Sequence, residues 1–571
     1  MIIRRPEQGR ARCCHPKSDR NHLNLRKIGS FWLFGRQANK RNKIRRGKNI
    51  SLGLKRCLKS ANFGPSSPHR LSDRQSGLNW PTRRWHWSPD WSPETPATPG
   101  KARPEPTENQ EGNKMSLDIS AIHAEQVTLN SLVQNLLYAS GTVGAILVVV
   151  GLLLIDAGTA RRKNLFNSTI EKTLGFFLGF ATYYVIGFGI WASQYYIMVD
   201  ATMTDSIKDW WLGGGMTNSL AHHVDPALFP GLNTFQIFVF FLAVFAGIIN
   251  ILLHFSVSER MKASAYYITC VVAAVVSSVL SWATWGSVGP LTNAGFHDFF
   301  GVGFVYLFPA GMALVFTPKL GARPGMMEPH ARVSAYLAPS IGLCAPGLLL
   351  IFGGLPMVIM SCLFFFDPEA LAVSVTMADT SVGIALNNYA LVWAGGAVTG
   401  LILAYRSGNY AYTLLGPLAG YVAGASGFDV YLPWQAFLIG LAAPFIAYAV
   451  YEFTLKRGID EHKLFPLFLG CGTFGMIVLG VFKAGTPRGG YLGFEEGAYA
   501  FQHGQISLGM QLVGIAVCIG AGVVTALILS VILEKTVGLR VDEHDQIDGL
   551  DKKIWDLEPD VHTHADSVPR A

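Results

Sequence analysis

The sequence predicts an all-α polytopic membrane protein of about eleven transmembrane helices, with its N-terminus out and its C-terminus in. Three observations predict it. Only 15% of the 571 residues are charged, where a soluble chain carries roughly a quarter. The mean hydropathy is positive, at +0.31. The apolar residues fall in stretches of about 20, which at 1.5 Å per residue cross a hydrocarbon core of roughly 30 Å.

Taken in order, apolar spans are expected at about 133–156, 171–194, 233–257, 264–286, 299–318, 336–366, 381–405, 410–428, 432–455, 464–483 and 505–533. The loops between them alternate in charge. Arg161, Arg162 and Lys163 follow the first span, and Arg260 and Lys262 the third. Lys319, Arg323 and Arg332 follow the fifth, Arg406 the seventh, and Lys456, Arg457 and Lys463 the ninth. Lys535 and Arg540 follow the eleventh. The intervening loops are poor in basic residues: 195–232 holds Asp200, Asp205, Asp209 and Asp225 against Lys208, and 366–380 holds Asp367, Glu369 and Asp379. Lys483 and Arg488 depart from the pattern. Short basic loops stay in the cytoplasm, so an odd number of spans puts the N-terminus outside and the C-terminus inside.

The formal net charge of +8 is unevenly spread. Residues 1–114 hold about 25 of the Lys and Arg against about 8 acids, which leaves the remainder net acidic by roughly nine. Such a segment is ordinarily solvated or a nucleic-acid contact. Here it carries scattered Trp and no sustained periodicity, and its apolar run Phe31, Trp32, Leu33 and Phe34 is too short for a secretory signal. A basic tail also conflicts with an outside N-terminus. Residues 111–114 (EGNK) can be encoded as a purine-rich ribosome-binding site just before an ATG at Met115. We therefore expect 1–114 to be a disordered or untranslated extension with no nucleic-acid partner. A membrane domain over 115–534 and a cytoplasmic tail over 535–571 follow it. An N-terminal peptide from residues 20–60 in mass spectrometry of the purified protein would contradict the start at Met115.

Cysteine usage points to no chemistry. Cys270, Cys344, Cys362, Cys471 and Cys518 stand singly in or beside apolar runs, without zinc or CxxC spacing. They read as small packing residues.

The informative stretch is 281–323. An apolar run closes on Trp285 and Gly286, a short Gly/Pro-rich loop follows, and His297, Asp298, Phe299, Phe300 and Gly301 open the next run, which ends at Lys319 and Arg323. A carboxylate at the lip of one membrane-length helix, just after a Trp that ends the previous one, is placed to catch a cation. Four further segments keep the same company: Asp156, Ala157 and Gly158 with Arg161, Lys163 and Asn164; 258–262 (SERMK) with Ser264, Ala265 and Tyr266; 416–423 (GPLAGYVA) before Pro433 and Trp434; and 538–541 (GLRV) before Gly549, Leu550 and Asp551. In order and spacing, over about 130 to 552, they resemble the ammonium transporter/Rhesus family. The resemblance implies two inverted five-helix repeats, a homotrimer in the cell inner membrane with a narrow pore in each protomer, and inward conduction of ammonium or neutral ammonia. Docking of a PII-type signalling protein at the cytoplasmic face is typical of the family. Here 552–557 (KKIWDL) stands where relatives have a histidine-glycine-glutamate segment.

The site residues carried over are few. Trp285 would recruit the ion, since an indole face attracts a cation by about 0.5–2 kcal/mol; an interfacial anchor is the other reading of that Trp. Asp298 would cap the free amides of the fifth span and stabilise the cation at long range. Ser361 would accept a hydrogen bond from the ion. Phe245, fifteen residues before Arg260, aligns with a gating phenylalanine, and Met357 stands where the second gate ring would be; plain helix packing serves either residue equally well. Tyr306, eight residues after Asp298, replaces the first pore histidine of the family. The second histidine position falls on Phe468 or Leu469. Neither midpoint position carries a side chain that titrates near neutrality.

Other polar residues read as structural. Asn250 and His254 share a helix face turned away from Phe245 and suit a helix–helix hydrogen bond. Asn387 and Asn388 suit helix packing, and His222 with His223 suits an exposed loop. There is no nucleotide-binding loop, nucleophile triad or metal cluster, so neither an enzyme nor a cofactor nor a metal is expected. Two alternatives remain open: a non-conducting ammonium sensor signalling through the C-terminal tail, and a channel for another small neutral solute.

Overall fold

The computed structural model describes residues 119–197, 200–220, 232–286, 289–327, 341–363, 381–486 and 504–557. The extension over 1–114 and the pair His222 and His223 lie outside them. Eleven helices form the body: α1 Ile119–Thr159, α2 Arg162–Ile197, α3 Leu232–Val257, α4 Ala263–Thr284, α5 Val302–Leu320, α6 Cys344–Cys362, α7 Val382–Ser407, α8 Tyr412–Gly424, α9 Pro433–Lys456, α10 Leu464–Phe482 and α11 Leu508–Thr536. Ten are long and apolar enough to cross a membrane. The exception is α8, with 13 residues continued by the tight turn Ala425–Gly427. Each helix falls on one of the eleven apolar spans; most ends are displaced by a few residues, but α1 begins at Ile119 and α2 at Arg162, well before the expected 133 and 171. The loop after α2 adds an amphipathic helix, Met203–Trp210, started by a reciprocal cap between Thr202 and Asp205.

Exposure separates the helices by role. α3 is buried along nearly its whole length, whereas α7, α9 and α11 turn one apolar face outward, with Val398, Leu401, Leu438, Phe445, Val524 and Ile528 exposed on it. An apolar face of this kind suits lipid, and a helix apolar all round belongs in the bundle centre.

The packing repeats after five helices. α2 packs on α3 and α4, and α7 packs on α8 and α9. α1 and α6 meet at the centre as an antiparallel pair with matched glycines. A Cβ on Gly144 would lie 2.4 Å from the Gly354 carbonyl, and one on Gly354 would lie 2.4 Å from that of Gly144. Gly151 and Gly347 repeat the arrangement at 2.6 and 2.8 Å. Only glycine allows backbones this close, and in a bilayer such small-residue contacts hold helices together by van der Waals packing. α11 then lies across both halves, against α5, α10 and α4.

Asn250 donates to the Gly175 carbonyl at 2.8 Å, and His254 Nε2 lies 2.8 Å from Glu171 Oε2. Both are α2–α3 ties. Asn388 donates to the Phe428 and Tyr431 carbonyls, each at 2.7 Å. Cys270, Cys344, Cys362, Cys471 and Cys518 are buried and free.

Candidate functional site

Two buried acids open the helices that face each other at the centre. The Asp298 carboxylate accepts from the Val302 amide at 2.9 Å and the Gly303 amide at 2.7 Å. The chain can turn there because Gly301 adopts a left-handed conformation, with φ at 73°. Glu461 does the same work for α10, accepting from the Lys463, Leu464 and Phe465 amides at 3.0, 2.7 and 2.6 Å. In both helices the first turns are wide π-helical segments, Val302–Leu307 and Leu464–Cys471. Such turns accompany functional positions because they re-aim side chains. Tyr306 is the fifth residue of the first segment and Phe468 the fifth of the second.

Asp298 is 1% exposed. Burial pushes its carboxyl up to about 6, against the downward pull of the two amides and of His297. His297 is itself fixed: Gln511 accepts from its amide at 2.9 Å and donates to its carbonyl at 2.8 Å, and its Nε2 lies 3.1 Å from Asp429.

Trp285 is 3% exposed and turns into the bundle. Its indole nitrogen donates to the Phe299 carbonyl at 3.2 Å, and its own carbonyl accepts from Trp191 at 3.0 Å. Its ring lies nearly parallel to Phe238, with centroids 6.5 Å apart, and close to Trp191 and Phe304. From Phe238 a row of rings descends one face of α3: Phe241 at 5.8 Å, then Phe245 a further 5.1 Å on. The spacing of three and four residues puts all three on that face. Ser361 stands beside this row, next to Phe241 and Gly141. Its hydroxyl donates to the Leu137 carbonyl at 2.6 Å or the Met357 carbonyl at 3.0 Å, so its lone pairs stay available as acceptors. The Met357 side chain is half-buried against Gly144; α6 instead lines the centre with Ile351, Leu355 and Val358.

Below Phe245 lies a cavity of about 40 Å³, lined by Phe245, Phe300, Tyr306, Tyr421 and Phe468 among aliphatic side chains. The Tyr306 and Tyr421 hydroxyls are 2.5 Å apart, and the Tyr306 ring is 5.0 Å from that of Phe468. Phe468, not Leu469, is therefore the residue set against Tyr306; Leu469 is half-buried on the same wide turn and outside the cavity wall. Leu152, Leu418 and Phe468 also wall a second cavity of about 180 Å³, which reaches Asp156, Thr159, Phe255 and Lys463. The side chains the two cavities share, Leu152, Leu418 and Phe468, are apolar, and the tyrosine pair lines the smaller one alone.

That larger cavity ends on an ionic network. Arg323 donates to both carboxylate oxygens of Asp460 at 2.8 Å, and Arg161 donates to Glu259. Arg323 and Arg260 hold the Asp460 carboxyl well below the ordinary carboxylate range despite its burial. Burial brings Arg260 down to about 10, with Asp460 opposing the shift. The C-terminal tail closes on the same side. Lys262 donates its amide to the Leu539 carbonyl at 3.0 Å, and the Val541 amide donates to the Arg260 carbonyl at 2.8 Å. Asp551 accepts from the Phe166 and Asn167 amides at 3.0 and 2.8 Å, capping the start of α2. The segments 258–262 and 538–541, read separately in the sequence, are thus joined backbone to backbone.

Sequence reasoning passed over Tyr421, Phe238, Phe241 and Glu461. A three-four spacing from Phe245 was the available signal for the two rings. An acid three residues before the first residue of α10, echoing Asp298 four before that of α5, was the signal for Glu461. For Tyr421 there was none, because its partner lies 115 residues away.

A family model, Ammonium Transporter Family, matches residues 137–558. An ammonium transporter Amt2 of Archaeoglobus fulgidus is 26% identical over 422 residues, covering 70% of this chain and 82% of that protein. An ammonium transporter Amt1 of Methanocaldococcus jannaschii is 27% identical over 412 residues, covering 71% and 91%. Among solved structures, a sensor Amt protein superposes with a TM-score of 0.60 at 19% identity, covering 75% of this chain and 99% of that one. Saccharomyces cerevisiae Mep2 does so at 0.54 and 18%, covering 72% and 90%. These two likenesses show a shared fold. With the family model matching residues 137–558, well over half of its length, the chain belongs to the ammonium transporter family.

Proposed function

We propose that this protein carries ammonium or neutral ammonia across a membrane through an apolar path in each protomer. The observation that carries the reading is the aromatic row from Trp285 to Phe245 followed by the 40 Å³ and 180 Å³ cavities, which share a wall, within a chain of this family. Trp285, Ser361 and Asp298 recruit the ion. Phe245 gates the path, with Met357 a weaker candidate for that role, and Tyr306 with Phe468 lines the midpoint. The geometry supports these roles by placing Trp285 and Phe245 on one aromatic row and Tyr306 opposite Phe468. In the same reading the protein is a homotrimer in the inner membrane, with its N-terminus outside and its tail inside. A PII-type protein is the candidate regulator of the tail.

Purified protein in proteoliposomes tests the proposal. An ammonium-evoked inward current supports electrogenic transport, and a fast ammonia-driven pH change without current supports passage of the neutral molecule. If neither appears, transport is refuted and a sensing role takes its place.

A further inference from the structure

Lys463 follows Glu461 by two residues and directly precedes α10. Its ammonium donates to Asp156 Oδ1 at 2.5 Å and to Thr159 Oγ1 at 2.7 Å, and stands 5.0 Å above the Phe255 ring. All four residues line the 180 Å³ cavity whose upper wall is Leu467 and Phe468. A carboxylate, a hydroxyl and an aromatic face converging from α1 and α3 form a site for an ammonium-type cation.

Asp156 does not need Lys463 for a partner. Asp156 already holds Lys172, whose ammonium contacts the other carboxylate oxygen and whose side chain is 1% exposed. Lys463 is the second cation on one carboxylate, and its side chain is 25% exposed. The group facing the cavity is therefore a positive charge on a tether, in surroundings that suit a free ammonium ion.

We propose that the Lys463 ammonium occupies a monovalent-cation site in this vestibule from within, and so keeps free cations out of it. The inference rests on the transport reading only for its consequence, that this mouth of the path passes the neutral molecule and rejects the ion. The site itself is independent of that reading.

The test uses the full chain with Lys463→Met, which keeps most of the aliphatic stem and removes the charge. Asp156 stays paired with Lys172 in this variant. The melting temperature of Lys463→Met is expected to climb by several degrees between about 1 and about 100 mM ammonium, beyond any climb in the unsubstituted protein. Lys463→Arg should respond as the unsubstituted protein does, and adding Thr159→Val to Lys463→Met should remove the extra climb. In proteoliposomes Lys463→Met should pass a monovalent-cation current roughly tenfold larger, with the flux of neutral ammonia unchanged. If Lys463→Met does not fold, Lys463→Gln serves for the same measurements. Equal ammonium responses in variant and unsubstituted protein overturn the proposal. An unsubstituted protein that moves no ammonia refutes the transport reading, and the melting curves then decide the site alone.

Discussion

Removing the Asp298 carboxylate tests both the fold and the site, because the two demands on this group oppose each other. Its oxygens satisfy two buried amides at the wide first turn of α5. Orphaning a buried amide costs about 1–3 kcal/mol, so Asp298→Ala loses about 2–6 kcal/mol from this source. Against that, the carboxyl titrates near about 6 instead of 3.8, so ionising it costs the folded state about 3 kcal/mol. The sign follows from the raised value: the folded state binds the proton more tightly than the unfolded chain. The group's contribution is full below about pH 4 and is lost as pH rises through about 6. Asp298→Ala should therefore be strongly destabilising near about pH 4 and about 3 kcal/mol less so at about pH 8. Asp298→Asn keeps one acceptor, should lose roughly half as much as Ala in acid, and should show no such pH dependence. Thermal melting in detergent at the two pH values measures all three proteins. A gap between Asp298→Ala and the unsubstituted protein that is small in acid, or constant with pH, refutes the reasoning.

The other predictions concern the contacts around the path. Tyr306→Phe and Tyr421→Phe should each cost about 1 kcal/mol, with a double-mutant cycle giving coupling of about 0.5–1.5 kcal/mol; a coupling near zero would mean the hydroxyls do not bond. Gly354→Leu should abolish folding, because its side chain meets the Gly144 carbonyl, whereas Gly353→Ala should melt normally, since nothing lies within 4 Å of that position. Arg323→Ala should cost about 3–5 kcal/mol by leaving Asp460 buried and poorly compensated. In the unsubstituted protein the Asp460 contribution is present above the ordinary carboxylate range and is lost as pH falls toward its depressed folded value, as acid melting curves would show. Phe468→His places an imidazole opposite Tyr306, and ammonium flux should then acquire a pH dependence near about 6–7 that the unsubstituted protein lacks.

The fold was largely legible because length and apolarity alone decide whether a helix crosses a bilayer. All eleven spans could be placed that way, including the short α8, whose Gly416 and Gly420 seat it closely against Gly400 and Val392 of α7. Helix ends were less legible. α2 begins nine residues before the expected span, and within that added stretch Asp551, from the distant tail, accepts from the Phe166 and Asn167 amides. The site was half legible. Asp298 announced itself through an acid beside an apolar run, and the choice between Phe468 and Leu469 was not available to periodicity. That choice is set by the π-helical turn of α10, whose phase differs from 100° per residue. The facing of Met357 was not legible either: it lies against Gly144, while Val358, one residue along α6, lines the 40 Å³ cavity.

The two acids that open α5 and α10 bear on where a proton can be left in the proposed transport cycle. Dehydrating an ammonium ion in the 40 Å³ space costs several kcal/mol, and the paired hydroxyls of Tyr306 and Tyr421 are hydrogen-bonding stations and not bases near neutrality. Asp298 titrates near the right range, but it is engaged with two backbone amides and lies before α5 begins. Glu461 is engaged with three amides at the start of α10. Both carboxylates are thus committed to the helices they position and bear on a cation through their field. The ion must then either keep its charge past Phe468, where Lys463 opposes it, or part from its proton in the aromatic row above Phe245. The second course places the proton-transfer step at the Trp285 end of the path, at the head of the apolar row of Phe238, Phe241 and Phe245.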